Sequence, residues 1–554
     1  MVSLMDDIDA AYCISSRHCL TPSELRGRLA GRHGTTSVAT MARTQRRRSP
    51  RRRTAAGTAV GVPQLPWRSI VNPYAPVEVL SADQLEAIHR ASLRILEEVG
   101  IEFMGREARD VLAAAGAEVD HDTALVRFDR ALVEDLVAKA PSEVVLTPRN
   151  DDHRILLGGN NVSCSLVAGP PNVHDRVRGR RNGNYRDYCD LVRLAQSFNI
   201  IHCVGNQPVA PVEMPAETRH LDCYLANITY TDKVFHCSAI GAGRATDGID
   251  MAAIARGISR EEIAESPAVL TIISVNSPRR FDEAMSDGLM AMARHGQCTV
   301  ITPFTLMGAM TPVTVAGALA QQNAEALAGI ALAQATRPGA PVVYGAFTSN
   351  VDMKSGAPAF GTPENTKATL AGGQLARRYN LPYRSSNSNA SNIVDAQAAY
   401  ESQMTIWGAV MGHANLIYHG AGWLEGGLTA SFEKIVLDAE MLQMMAETLV
   451  PIEVTEGELA LDAISDVQPG GHFFGTEHTL ERYETAFYEP MLADWRNYET
   501  WEEAGAETAT ERATRVWQTM LAEYAEPTMD PAVAEELQAF VARRKREIES
   551  AAAA

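Results

Sequence analysis

Eight short apolar runs recur along the chain, and their spacing constrains the fold more than any other feature. They are Val162–Val167, Ile200–Val204, Lys233–Ile240, Val269–Val275, Thr299–Pro303, Val342–Phe347, Tyr383–Asn387 and Asn415–His419. Their starts lie about 30–43 residues apart, and each gap has room for one helix, such as Arg186–Gln196, Thr246–Ala255, Asp282–His295 and Ala316–Ala335. A strand built almost wholly of apolar residues is one buried on both faces, as in a parallel sheet covered by helices. Eight strand–helix units at this pitch predict an α/β fold, a (β/α)8 TIM barrel. The competing fold, a doubly wound open sheet, carries a glycine-rich phosphate turn after its first strand. The turn in that position here is Val167-Ala168-Gly169-Pro170-Pro171, and its prolines lack the N–H donors a phosphate needs.

The flanks read differently. Residues 66–155 predict a small α+β entry segment. Ser81 and Gln84 make a capping box for a helix with Leu85, Ile88, Leu93, Leu96 and Val99 on one face, ended by Gly100. Helices over Arg106–Ala115 and Asp129–Ala140 follow, with a short strand, Ala124–Phe128, between them. The barrel domain is assigned to 156–430 and a C-terminal helical extension to 431–554, periodic over Ser431–Leu449, Glu511–Glu523 and Ala532–Glu549. Residues 1–65 have no apolar periodicity and read as a disordered tail rich in arginine, with Arg46–Arg48 and Arg51–Arg53 as its charge blocks. Met41 is a plausible alternative start.

Because the tail is basic and the whole chain carries a formal charge of −18, the ordered body is more acidic than the total suggests. That makes nucleic acid an improbable partner and suits a cationic ligand. No run of 18 apolar residues is present, so no membrane span is expected. The eight cysteines stand singly, with no C-x-x-C pair, which suggests buried reduced thiols and a cytoplasmic setting. A homo-oligomer is expected.

Side chains that meet a ligand in such a barrel lie just past the C-terminal ends of the strands. Those positions hold Asn206, Gln207, Asn276, Ser277, Thr302 and Phe304. Later strands add Tyr344, Phe347, Asn350, Asp352, Asn387 and Asn389, then His419, Trp423 and Glu425. Lysine and arginine are almost absent from this set. Aromatic faces beside a carboxylate suit a quaternary or tertiary ammonium group. The candidate ammonium cage is Tyr344, Phe347 and Trp423, with charge from Asp352 or Glu425. Asn387, Asn389 and His419 are candidates for the ligand's polar end. Asp352, Glu425 and His419 are the candidate catalytic groups. No metal site is expected: the His-Cys pairs 202–203 and 236–237 sit on adjacent strand positions, which face opposite ways.

Several segments then resemble one family in order. They are LSADQLEAIHRASLRILEEVGIEF (80–103), Ala140-Pro141-Ser142, MTPVTVAGALAQQNAEALAGIALAQATRPGAPVVYG (310–345), DMKSG (352–356), GTPE (361–364), DAQAAYE (395–401), EKIVLDAE (433–440) and PGGHF (469–473). The chain from about residue 66 to about 540 thereby resembles the trimethylamine methyltransferase family. The resemblance implies a TIM barrel that moves a methyl group from a methylamine to the Co(I) of a partner corrinoid (cobalamin) protein. In the trimethylamine enzymes a pyrrolysine precedes the DAQ-type motif. Here that region is SNSNASNIVDAQ, with ordinary residues around Asn392. The departure places the chain with the branch lacking pyrrolysine, which resembles glycine betaine methyltransferases acting on quaternary amines. A quaternary nitrogen leaves as a neutral tertiary amine, so Co(I) can displace it directly and no side-chain nucleophile is needed. The alternatives are methyl transfer from a betaine to a non-corrinoid acceptor such as tetrahydrofolate, and a betaine-binding barrel without catalysis.

Overall fold

Eight parallel strands meet edge to edge and close on themselves in the computed structural model, which describes residues 61–553. The arginine-rich tail and the alternative start at Met41 fall outside the described residues, apart from positions 61–65. The barrel strands are β1 (Asn161–Leu166), β2 (Cys203–Val204), β3 (Val234–His236), β4 (Val269–Val275), β5 (Cys298–Met307), β6 (Val342–Gly345), β7 (Tyr383–Ser386) and β8 (Leu416–Ala421). Each pairs in parallel with its sequence neighbours, and β8 pairs with β1 through Leu416↔Ser163 and Ile417↔Cys164. The eightfold recurrence in the sequence is therefore a closed (β/α)8 barrel.

The covering helices are α1 (Tyr185–Ser197), α2 (Arg219–Tyr230), α3 (Ala242–Arg256), α4 (Glu283–Arg294), α5 (Val315–Thr336), α6 (Pro363–Arg378), α7 (Ala396–Met411) and α8 (Phe432–Thr448). Six of them start at a side-chain cap, from Asn184, Asp282, Thr314, Thr362, Asp395 and Ser431. Each such cap satisfies a backbone N–H left open in the first turn. Helix α8 packs against β8 as the eighth barrel helix, so the barrel unit runs past residue 430, where the sequence reading ended it. Its capping Ser431 belongs to a short strand paired with Asn172–Asp175, and that pairing binds the last barrel loop to the first.

One predicted strand divides. Instead of Val342–Phe347, the chain forms β6, breaks at Ala346, and resumes as Phe347–Val351 beside the far end of β5, with Phe304 opposite Phe347. The break follows a close approach at Gly345, where a Cβ would lie 2.1 Å from Thr302 Oγ1. Any larger residue there would push β6 off β5.

Helix α5 is buried on nearly every side, and a helix buried in this way needs cover on all faces. The N-terminal segment supplies it: helices Ala82–Arg94, Arg106–Ala115 and Arg130–Val137 pack on its outer face. Ala509–Ala522 packs on α8 and α1, and Pro531–Ala553 on α2 and α3, where Arg544 pairs with Asp247 at 2.7 Å. Among the described residues no helix is long and apolar enough to cross a membrane.

Closure depends on Asn415, which is buried just ahead of β8. Its Oδ1 accepts from the Tyr383 N–H at 2.9 Å, and its Nδ2 donates to Gly159 O at 3.0 Å and Asn161 O at 2.8 Å. One amide thus clasps β7, β8 and the start of β1. Asn415→Ala removes three hydrogen bonds, one buried and two partly buried, and should lower the unfolding free energy by about 2–4 kcal/mol. Urea unfolding of the variant measures this, and a loss below about 0.5 kcal/mol contradicts the clasp.

Candidate functional site

The C-terminal ends of the strands surround a cavity of about 650 Å³ that opens at the barrel mouth. Its wall includes Phe304, Phe347, Tyr418, His419 and Trp423 as aromatic faces. Ser238, Ser274, Asn276, Ser277 and Thr302 contribute polar edges. Phe347 lies 5.1 Å from Phe304, 6.2 Å from His419 and 6.0 Å from Trp423, centroid to centroid, and meets the indole nearly edge-on at 71°.

Strand β8 delivers two adjacent rings to this wall, which a regular strand cannot do. The register against β1 shifts between Ile417 and Ala421, and His419 sits in the left-handed region at φ 56°. A non-glycine residue there is strained, and such bulges recur beside ligand sites because they re-aim side chains. The result places Tyr418 and His419 together on the cavity, 4.4 Å apart and nearly perpendicular.

Trp423 follows on the β8–α8 loop, held by a buried scaffold. Its Nε1 donates to Asn389 O at 3.2 Å, and Asn389 Nδ2 donates back to Trp423 O at 2.8 Å. Gly427, at φ 101°, lies flat under the indole, where a Cβ would come within 2.6 Å of the ring. Asn387 Nδ2 donates to Gly420 O at 2.9 Å and its Oδ1 accepts from Thr405. Behind these, Lys434 donates to Ser402 and pairs with Asp438, whose Oδ2 accepts the Gly422 N–H at 2.8 Å.

Of the side chains nominated from sequence, Phe347, His419 and Trp423 share the cavity. Tyr344 does not. It points out to α5, where its hydroxyl donates to Asn323 Oδ1 at 2.9 Å and accepts from Gln322 at 3.1 Å. The strand alternation fixes this: Tyr344 lies one residue ahead of Gly345, the position that faces Thr302. Asp352 lies in an exposed hairpin turn and accepts from the N–H groups of Lys354 and Ser355, outside the wall. Glu425 turns away to Arg180 at 2.8 Å. Asn387 and Asn389 stand behind the wall as supports of the Trp423 loop. Asn392 is exposed on the β7–α7 connection.

Arg384, Tyr418 and His236 line the cavity without standing among the strand-end candidates, and Arg384 is the charged one. It is the second residue of β7, 1% exposed, and lines the cavity. Its Cζ lies over the rings of Phe347 and Tyr418 at 5.1 and 5.2 Å, while its Nε and Nη1 have no hydrogen-bond partner among the described residues. Burial pulls it down to about 10, so it stays charged at neutral pH. The signal was a charged residue inside a strand buried on both faces, which has only the barrel interior to enter.

Two imidazoles on the cavity are neutral. Burial, reinforced by Arg384, lowers His236 to about 3 and holds His419 well below the ordinary histidine value. Among the described residues no aspartate or glutamate lines the cavity, and no group of three or more His, Cys, Asp or Glu is placed to hold a metal. The site therefore offers π-faces, hydroxyls and one guanidinium.

A (β/α)8 barrel with an aromatic-walled cavity at its mouth is built to bind a small molecule there. Comparison with known sequences narrows the class. The family model described as trimethylamine methyltransferase (MTTB) matches residues 43–549. A glycine betaine methyltransferase of Desulfitobacterium hafniense (strain Y51) is 37% identical over 471 residues, 85% of this chain and 98% of that protein. A trimethylamine methyltransferase MttB of Desulfitobacterium hafniense (strain DSM 10664 / DCB-2) is 31% identical, covering 83% of this chain and 92% of that one. A solved monomethylamine methyltransferase of Methanosarcina barkeri aligns over 81% of this chain and 88% of its own, at TM-score 0.48 and 9% identity. The chain belongs to the trimethylamine methyltransferase family.

The buried imidazoles make stability sensitive to acid. His202 and His236 have folded values near 4 and 3, below the 6.5 of the exposed group. As pH falls through about 6.5 the unfolded chain takes up protons that the folded chain refuses, so stability is lost downward from that point. Each histidine contributes a slope of up to about 1.4 kcal/mol per pH unit across that window. Urea unfolding should show the decline beginning above pH 6, with a shallower slope in His202→Asn. A flat profile from pH 7 to 5 contradicts the neutral assignment.

Proposed function

We propose that this protein transfers a methyl group from a betaine-like quaternary amine to the Co(I) of a cognate corrinoid protein. The observation that carries the reading is the cavity wall itself: aromatic faces at the barrel mouth, with no aspartate, glutamate or cysteine among the described residues that line it. A quaternary ammonium needs neither a side-chain nucleophile nor a general acid. It is held by the faces of Phe304, Phe347 and Trp423 through cation–π attraction, and its nitrogen departs as a neutral amine with no proton to move. The corrinoid, carried by the partner, supplies as Co(I) a nucleophile able to take the methyl group in line. The chain's own contribution is to bind, orient and present that methyl at an open mouth. Similarity to a protein named for glycine betaine, at higher identity than to one named for trimethylamine, supports the quaternary class.

The rim supports a protein acceptor. Loops after six of the strands each expose a large apolar side chain: Val212, Ile240, Val313, Met353, Ile393 and Leu428, 45–69% exposed. Apolar groups around a mouth suit a docking protein better than they suit water. The described cysteines are buried free thiols, which supports a cytoplasmic setting. Ile452, Val454, Phe487 and Trp495, each at least 73% exposed, support a homo-oligomer.

The test follows loss of the Co(I) spectrum and formation of the demethylated amine, with glycine betaine, the purified protein and a reduced corrinoid protein. Trp423→Ala and Phe347→Ala should each lower kcat/KM for the amine about 10–100-fold, from the loss of ring contact and packing. Val313→Glu and Met353→Glu should raise the concentration of corrinoid protein needed for half-maximal rate and leave amine binding unchanged. Methylation of tetrahydrofolate alone, or binding with no methyl transfer, contradicts the proposal.

A further inference from the structure

We propose that Arg384 and Tyr418 form a carboxylate-binding subsite in the depth of the cavity, which turns a zwitterionic donor so that its ammonium end faces the mouth. The proposal deepens the methyl-transfer reading, on which it rests for the identity of the donor.

Arg384 offers Nε and Nη1 donors without acceptors, inside a wall that holds no carboxylate among the described residues. Buried donors are costly to leave unmade, and a guanidinium most of all. The tyrosine supplies a second free donor. Ile272 N–H points at His236 Nε2 at 3.4 Å and the Thr271 hydroxyl stands at the same distance; a backbone N–H can only donate, so the nitrogen accepts and this neutral ring carries its proton on Nδ1. Nδ1 lies 2.6 Å from the Tyr418 hydroxyl and donates to it, and Asn206 N–H donates to the same oxygen at 3.0 Å. With both acceptances made, the phenolic proton is left to point into the cavity. Burial holds that phenol well above its usual range, so the proton is retained.

A planar anion with two oxygens matches this donor set, because carboxylates take guanidinium bonds in pairs. The same geometry sets direction. Arg384 sits within β7, whereas Trp423 lies beyond the end of β8, and Phe347 contacts both. A short trimethylammonium carboxylate spans them with its anion inward and its methyl groups outward. Choline, a cation with no anion, meets an uncompensated positive charge in the same space. The ligand class is therefore a trimethylammonium carboxylate, not a simple quaternary ammonium.

Calorimetry on the full chain with glycine betaine, choline and 3,3-dimethylbutanoate (the betaine with carbon in place of nitrogen) tests this. The wild-type protein should bind glycine betaine about 100-fold more tightly than choline, and 3,3-dimethylbutanoate should compete with the betaine. Arg384→Met should lower betaine affinity about 100-fold and leave choline unchanged or improved, with Arg384→Lys retaining part of the preference. Tyr418→Phe should cost the betaine about tenfold and choline nothing. Equal affinity of the wild type for betaine and choline overturns the subsite, as does a folded Arg384→Met variant that keeps the preference. If that variant does not fold, the wild-type ratio and Tyr418→Phe decide. A Co(I) assay run in parallel separates the two readings. Carboxylate preference without cobalt methylation sinks the methyl-transfer reading alone, and methylation from choline and betaine alike sinks the subsite alone.

Discussion

A guanidinium enclosed in a barrel, with no carboxylate beside it among the described residues, governs what the cavity can hold. Burying a charge is expensive unless it is paired. Among the described residues Arg384 is offset by the faces of Phe347 and Tyr418, and such contacts are worth about 0.5–2 kcal/mol each. The remaining cost is carried by the stability of the whole barrel. A site of this kind favours a ligand bringing an anion to one particular depth, and it disfavours bare cations without any added steric filter. Specificity then comes from what the protein leaves unsatisfied.

The surrounding elements serve that arrangement. The clasp at Asn415 fixes the relative heights of β7, β8 and β1, which fixes Arg384 and Tyr418 against each other. The bulge at His419 turns two neighbouring rings inward. The Asn389, Ser402, Lys434 and Asp438 network holds the loop that carries Trp423. Rigid elements with hydrogen-bonded supports keep a binding wall within the tolerance that oriented chemistry requires. No side chain in the wall has to change protonation state, which accords with a reaction that moves no proton.

Much of the fold was legible because eight buried strands leave an apolar signature that composition noise does not hide. The register within each strand was harder. Tyr344 lies at the end of a predicted strand and is aromatic, yet one residue of alternation sends it to α5. Phe347 escaped the same fate because the chain breaks at Ala346 and restarts. Asp352 and Glu425 sit close in sequence to the mouth, but a turn and an arginine claim their oxygens. Arg384 was invisible to a survey of strand ends because it stands inside a strand. Its charge, in a segment with no solvent-facing side, was the available clue. Pairings such as Tyr418 with His236 join residues 182 positions apart, and no local pattern encodes them.

The proposed subsite fixes an orientation: anion inward at Arg384, ammonium outward among the rings. A crystal structure of the protein with glycine betaine tests it most directly. The carboxylate should lie within hydrogen-bonding distance of Arg384 and Tyr418, and the nitrogen within about 6 Å of the Phe347 and Trp423 ring centroids. An ammonium group lodged beside Arg384 with the carboxylate at the mouth, or a ligand bound outside this cavity, would contradict it.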